Sequence, residues 1–361
     1  MNEVVIMAGY DIIHFEALGA EAEHLKEETI KAQQKGELPG EFAYLLTPMN
    51  VQDFLRANPT VDLPDIVTTK THSILPEAYF SGNKKSIVTR SAGYDHFEHL
   101  AERANITSLR EYCVNAVAQT AMKFVYATAG EMNHYTKNTE TFERNNARAF
   151  MELSKHRTLT VFGVGKIGKG IYELAELNGL TVQGVDIRQD YLIDAYPSQV
   201  RFVSKEEALS SSDIMVNAMN LTRNEKSAFY NVGYFSREYL SRAKDGLIFI
   251  NVTRGEIAPE QGLVELYLSG KIGGIGLDVF TEEAEFARLM LRDETPTQKD
   301  HVAAKVMVRK ALERSGNIYV QPHQGFNSDI AAGTKAFEAI KHVIAWYRNG
   351  AKCFDEQLPY Y

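Results

Sequence analysis

The sequence predicts an α/β protein of two domains, one of them built on a doubly wound parallel sheet. Three observations carry this reading. A strand-forming run, Thr158 to Phe162, passes directly into Gly163, Gly165 and Gly168, spaced G-x-G-x-x-G, and then into a helical pattern with Ile171, Leu174 and Leu177 on one face. A second apolar strand, Leu180 to Val185, follows and ends at Asp186. Strand-like and helix-like segments alternate on both sides of this unit, and 361 residues suffice for two domains that each bury a core.

Taken in order, Glu3 to Ala8 reads as an opening strand and Glu16 to Lys35 as a polar helix. Phe42 to Leu46 is a second apolar segment, ended by Thr47-Pro48. Asp65 to Thr69 and Ser86 to Thr89 read as further strands, with a turn of helix at Leu75 to Phe80 between them. Together they form a small parallel α/β unit ahead of the glycine loop. Arg90 to Asp95 closes the last of these strands. Gly93 there allows backbone N–H groups to point outward, where they can hold a carboxylate, although a plain strand-to-helix turn accounts for the same residues. Asn115 is a good N-cap for a long helix through Val117, Ala118, Ala121, Met122 and Val125. The polar stretch Glu131 to Arg148, with Tyr135 and Phe142, fits an arm packing on a second subunit and a solvated helix–loop equally well.

The glycines have separable jobs: a tight turn, close backbone approach to a diphosphate, and close helix-on-strand packing. The N–H groups and dipole at the new helix's N-terminus favour phosphate charge. Asp186 lies about 20 residues past the loop, where the ribose-binding acid of a βαβ dinucleotide fold belongs. Strand, loop, helix and acid thus agree on a dinucleotide site. Beyond it, Ile214 to Asn217, Leu247 to Asn251, Gly274 to Asp278 and Ile318 to Gln321 read as strands, alternating with helices such as Pro259 to Ser269. The ligands of such a sheet sit at the strands' C-terminal ends. A charged excursion between Glu282 and Arg314, with Pro296 inside it, is expected to be a solvated helical face. The last helix, with Phe337, Ile340, Ile344 and Tyr347 on one side, is expected to dock on the N-terminal unit.

Composition narrows the class. Charged residues make up 24% and hydrophobic ones 44%, as in ordinary globular proteins. A net charge of −8 argues against a nucleic-acid role, which needs a concentrated basic face. Two cysteines, Cys113 and Cys353, support neither a disulfide framework nor a thiolate metal cluster, so no metal is expected. No basic-then-apolar signal pattern opens the chain, and no apolar run approaches the ~20 residues needed to span a bilayer. The expectation is a cytoplasmic protein with reduced thiols.

Three motifs fall at strand ends of the dinucleotide domain: Ile250-Asn-Val-Thr-Arg-Gly255, Leu277-Asp-Val-Phe-Thr-Glu-Glu283 and Val320-Gln-Pro-His323. Arg254 can clamp a carboxylate in a fork of two hydrogen bonds and polarise a carbonyl oxygen. His323 can give or take a proton near neutral pH, and a neighbouring carboxylate would orient the imidazole and favour its protonated form. That form is the acid needed when hydride reaches a 2-oxo acid. Each residue also has a plain structural explanation: a surface ion pair for Arg254, a helix-start acid for Glu283, an ordinary structural histidine for His323.

With these motifs in this order over nearly its whole length, the chain resembles the D-isomer-specific 2-hydroxyacid dehydrogenases, within them the D-lactate dehydrogenase branch. The resemblance implies a Rossmann-type domain, 114–323, and a smaller, discontinuous flavodoxin-like substrate domain, 1–113 with 324–361. It makes Arg254, Glu283 and His323 the catalytic residues, Glu283 rather than Glu282 because the family's glutamate stands five places after the aspartate matched by Asp278. The backbone of Ala92 and Gly93 becomes the carboxylate cradle, and Tyr112 and Phe326 become substrate-side aromatics. Cofactor contacts are implied for Gly163, Gly165, Lys166, Ile167, Gly168, Asp186, Asn220, Thr253 and Asp278. The family is typically dimeric, and an interdomain cleft is expected to close over the substrate.

Several positions depart from the family pattern: Asn220 replaces a usual Pro, Pro259 a usual Asp, Cys113-Val114 a Ser-Pro pair, and Gln119 a frequent Glu, and the segment between Glu283 and His323 is long. None removes a catalytic group. Asp186 favours NAD, because a 2′-phosphate about 4 Å from it would be repelled by roughly 4 kcal/mol at an effective dielectric of 20, although Arg188 can soften that penalty. The expected activity is NAD-dependent reduction of a small 2-oxo acid, pyruvate first. Bulkier branched-chain or aromatic acids are the alternative within enzymes, and a non-catalytic NAD-sensing protein is the alternative outside them.

Overall fold

The computed structural model describes residues 9–142, 144–145, 148–196 and 199–360. The chain divides into two compact units, Met1–Cys113 with Asn327–Tyr361, and Val114–Phe326. The return crossing falls at Phe326–Asn327, three residues beyond the expected one.

In the first unit, β1 (Ile12–His14), β2 (Tyr44–Leu46), β3 (Ile66–Thr69), β4 (Lys85–Thr89) and β5 (Ala104–Ser108) form one parallel sheet in the order β2-β1-β3-β4-β5. This is the flavodoxin-like order. The strands are rich in β-branched residues, and alternate side chains fill two separate cores, Ile12, Ile66 and Val88 on one face and Ile13, Val67 and Ile87 on the other. The strand expected at Glu3 to Ala8 lies outside the described residues. The first described strand is Ile12–His14, a short buried triplet that the sequence reading passed over.

Helix α1 (Gly19–Gln34) lies inside the expected span, and α2 (Val51–Ala57) is capped by Asn50, whose side chain accepts from Asp53 N. The C-terminal helix, Ala331–Arg348, docks within this unit against α1, but not by the face expected. Ala336, Ala339, Ile340, Val343 and Trp346 are buried, whereas Phe337 is 58% exposed and Tyr347 40%. Small alanines let the two helices approach closely, and Trp346 Nε1 donates to Ser86 Oγ at 2.9 Å, which fixes the rotation of the helix.

The second unit opens with α3 (Val114–Ala129). Asn115 is therefore not its N-cap but an exposed residue in its first turn: Cys113 is buried immediately before, and the chain enters the helix two residues early. In the stretch after it, α4 (Met132–Asn138) has no buried residue, and Phe142 is exposed. The sheet comprises β6 (Thr158–Phe162), β7 (Thr181–Val185), β8 (Ile214–Asn217), β9 (Leu247–Asn251), β10 (Ile272–Leu277) and β11 (Ile318–Val320), all parallel, in the order β11-β10-β9-β8-β6-β7. Phe202 bridges to Gly184 outside β7. Counting that bridge as a third strand gives the Rossmann order 3-2-1-4-5-6 with one strand added. The order reverses between β6 and β8, so ligands belong at the C-terminal ends of those strands.

Helices α5 (Lys166–Leu177), α6 (Gln189–Ala195), α7 (Lys205–Ser211), α8 (Arg237–Leu240) and α9 (Glu260–Leu268) connect these strands. The charged excursion is not a solvated face. It forms α10 (Glu283–Leu291) and α11 (Lys299–Leu312), and Phe286, Ala304 and Met307 enter the core of this unit while the charged side chains of α11 face outward. The apolar positions recur at helical spacing, but the surrounding charges mask them in the sequence.

Candidate active site

The three glycines of the loop after β6 divide into two closed positions and one open one. Gly163 has φ +85°, and a Cβ there would lie 2.8 Å from Met219 Cα. At Gly168 it would lie 1.9 Å from the Gly163 carbonyl oxygen, so helix α5 sits directly on the turn. Gly165, the N-cap of α5, faces open space, its nearest neighbour there being Arg188 Nη2 at 4.0 Å. An open glycine backbone at the start of a 12-residue helix, with Lys166 and Ile167 in its first turn, suits a diphosphate. Asp186 is placed beside it. Its Oδ2 accepts from Val164 N at 2.8 Å, and its Oδ1 accepts from Arg188 N at 2.8 Å. The acid thus holds the glycine loop itself, a role that its spacing alone did not reveal.

Two asparagines that the sequence reading missed organise the next strand ends. Asn217 and Asn251, both buried, finish the apolar runs of β8 and β9. Asn217 Nδ2 donates to Asn251 Oδ1 at 3.0 Å and to Thr253 Oγ1 at 2.8 Å, and Asn217 Oδ1 accepts from Met219 N at 3.1 Å. Asn251 Nδ2 in turn donates to the Arg254 carbonyl at 2.9 Å. The Asn220 carbonyl accepts from Asn231 Nδ2 at 2.7 Å. The signal was an Asn closing a run of otherwise apolar strand residues, where a buried amide needs partners.

Arg254 leads out of β9, and its Nη1 donates to the Thr253 carbonyl at 2.9 Å. Glu283 opens α10 and turns back, its Oε1 accepting from Phe280 N at 3.0 Å while its Oε2 lies 2.6 Å from His323 Nδ1. His323 has φ +49°, an uncommon conformation for a non-glycine residue. It is held by its own N–H, which donates to the Asp278 carbonyl at 2.7 Å. The buried Asp278 carboxylate accepts from Gln321 Nε2 at 2.7 Å, Gln324 N at 2.8 Å and Gly325 N at 2.9 Å, wrapping the turn that presents His323. Burial raises the pKa of this carboxyl, outweighing those hydrogen bonds and the nearby imidazole. Phe326 meets the His323 ring edge-on at 6.2 Å.

Ala92, Gly93 and Tyr112 belong to the first unit. Ala92 and Gly93 follow β4 and the fully buried Arg90, which donates through Nε to Glu21 Oε1 at 2.8 Å and through Nη2 to the Phe15 carbonyl at 2.6 Å, and also bonds Thr68. Tyr112 N donates to Glu338 Oε2 at 2.8 Å, and Lys335 Nζ lies 5.3 Å from its ring centre. Burial pushes the Tyr112 phenol well above its ordinary pKa.

The described residues include no cluster able to hold a metal ion and no helix long and apolar enough to cross a membrane. Residues 122–325 match the family model of the D-isomer specific 2-hydroxyacid dehydrogenase NAD-binding domain. The chain is 25% identical to a D-lactate dehydrogenase of Treponema pallidum over 71% of its length and 73% of the relative's. It is 26% identical to a D-specific alpha-keto acid dehydrogenase of Enterococcus faecium, over 73% of its length and 76% of that protein's. The crystal structure of D-lactate dehydrogenase from Aquifex aeolicus, complexed with NAD and lactic acid, superposes with a TM-score of 0.72 at 20% identity, covering 94% of this chain and 96% of that one. The fold, the glycine loop and the match over the nucleotide domain agree: the chain belongs to the D-isomer specific 2-hydroxyacid dehydrogenases, a family of NAD-dependent oxidoreductases.

Proposed function

We propose that this protein reduces a small 2-oxo acid to the D-2-hydroxy acid, with pyruvate as the leading substrate and Arg254, Glu283 and His323 as its catalytic residues. The observation that carries the reading is the 2.6 Å contact between Glu283 Oε2 and His323 Nδ1, built at a strand end next to that of Arg254. With Nδ1 committed to Glu283, the transferable proton of the imidazolium sits on Nε2. Arg254 holds the substrate carboxylate and polarises its carbonyl. The backbone N–H groups of Ala92 and Gly93 are carboxylate ligands in this reading, and Tyr112 and Phe326 are substrate-side aromatics. NADH, when bound on the glycine loop, supplies the hydride. His323 delivers its Nε2 proton to the carbonyl oxygen, and Glu283 stabilises the imidazolium until that transfer. Lys166, Ile167, Asn220, Thr253 and Asp278 join the glycines and Asp186 in holding the cofactor.

Relatives named D-lactate dehydrogenase support pyruvate, and the Enterococcus relative named for alpha-keto acids supports a bulkier 2-oxo acid as the second reading. The proposal extends to a cytoplasmic homodimer. Exposed Met132 and Phe142 favour the subunit-packing reading of the stretch Glu131 to Arg148.

The test is NADH oxidation against a panel of pyruvate, branched-chain and aromatic 2-oxo acids, with His323→Ala as control. Turnover should fall about 10²- to 10⁴-fold in the variant, with NADH binding retained. Tight NADH binding without turnover of any acid by the wild type would replace the enzyme reading with the sensor.

A further inference from the structure

Three consecutive backbone amides in the loop that carries Glu283 each meet a carboxylate. Phe280 N donates to Glu283 Oε1 at 3.0 Å, Thr281 N to Glu260 Oε1 at 2.8 Å and Glu282 N to Glu256 Oε1 at 3.4 Å. Glu256 and Glu260 both belong to the segment that follows Arg254. From the opposite side, His301 of α11 reaches the Thr281 carbonyl, its Nε2 3.0 Å from that oxygen. Asp300, next to it, accepts from Gln261 N at 2.9 Å and ties α11 to the start of α9. The peptide groups flanking Thr281 are thus held from two helices, the amide by α9 and the carbonyl by α11. Glu260 is 1% exposed and His301 2%. Burying a carboxylate and an imidazole costs free energy that apolar residues there would not, so a merely space-filling role explains them poorly.

We propose that Glu260 and His301 are positioning residues, which clamp Thr281 from two sides and thereby hold Glu283 on His323 at a fixed distance from the Arg254 turn. The inference rests on the catalytic reading above and gives the 284–316 excursion a task, the delivery of His301. Thr281 lies two residues before Glu283, and the intervening Glu282 is in a left-handed conformation, φ +48°. Little slack separates the clamp from the carboxylate it would place.

The test is kcat and KM for 2-oxo acid reduction, measured separately, in the wild type, Glu260→Ala, Glu260→Gln and His301→Ala. Glu260→Ala and His301→Ala should lower kcat about 10- to 100-fold, as a misplacement of about 1 Å does, with NADH affinity unchanged. KM for the 2-oxo acid should change much less than kcat, because a displaced Glu283 spoils a proton transfer made only in the transition state. Gln at 260 keeps an oxygen for Thr281 N and should recover most of kcat. A lowered melting temperature with kcat in place would mean a structural role only and overturn the inference. If Glu260→Ala fails to fold, His301→Ala carries the same test from the other helix. A wild type that reduces no acid sinks the proposed function and this inference with it. A wild type that turns over, beside variants that keep its kcat, overturns this inference alone.

Discussion

Gly255 and Phe280 are packed backbone to backbone: a Cβ on Gly255 would lie 2.0 Å from the Phe280 carbonyl carbon and 2.1 Å from Thr281 N. The turn that presents Arg254 and the loop that carries Glu283 therefore share one surface with no room for a methyl group. Gly255→Ala should destabilise the protein by about 1–3 kcal/mol through overpacking. It should also lower kcat more than it weakens NADH binding, since the glycine loop lies elsewhere on the sheet. Urea unfolding and steady-state kinetics on the same preparation check both parts, and wild-type kcat in the variant would show that the loops move apart freely.

Glu260 should make stability depend on pH. Burial lifts its carboxyl to about 7, with the Asp300 charge adding to the rise and hydrogen bonds from Thr281 and its own backbone opposing it. The folded state then keeps a proton that the unfolded chain releases near its ordinary value of 4.5. Stability falls as pH climbs from there through about 7, by about 3 kcal/mol in all for this group. Glu260→Gln does not titrate, so its stability should exceed the wild type's at alkaline pH, and the difference should shrink on acidification. Denaturant melts across that pH range read this directly.

Glu21 should be among the costliest single losses in the first unit. Its carboxylate meets Arg90 Nε at 2.8 Å, Lys70 Nζ at 2.5 Å and Lys335 Nζ at 3.9 Å. Burial opposes its ionised form, but Arg90, Lys335 and Lys70 outweigh burial and lower its pKa. Burial in turn lowers the Lys335 ammonium to about 8. Glu21→Gln leaves buried cations uncompensated and should cost about 3–5 kcal/mol at neutral pH. Because the folded-state pKa is depressed, the wild-type advantage is present above the ordinary carboxyl value and is lost as pH falls through the folded value. A variant as stable as wild type at pH 7 would contradict this account.

Asp186 holds the glycine loop and, in the proposed function, the cofactor, and substitution can separate the two. Asp186→Asn keeps a carbonyl oxygen for Val164 N and removes the charge, so the preference for NADH over NADPH should shrink by at least about tenfold. Asp186→Ala also releases the Val164 amide and should weaken both cofactors. Calorimetric titration of the two nucleotides resolves these outcomes without turnover.

Much of this protein is determined locally. The runs Thr158–Phe162, Ile214–Asn217 and Leu247–Asn251 are strands in the structure because β-branched and apolar residues there meet glycine or polar stops within a few positions. The glycine loop and Asp186 are equally legible, since the conformations they require are properties of single residues and fixed spacings. What depends on partners distant in sequence was not. The sequence leaves open which face of the last helix packs, and a bond from Trp346 to Ser86 decides it. The charges around Phe286, Ala304 and Met307 read as solvent-facing until those three side chains have a sheet to pack on. Arg254, Glu283 and His323 stand as candidates in the chain, but the 2.6 Å contact between the last two joins turns after separate strands, and Asp278, Glu260 and His301 bond those turns from elsewhere in the fold. Periodicity and spacing record what a residue's own backbone prefers, whereas these contacts are set by long-range packing, which no short stretch of sequence contains.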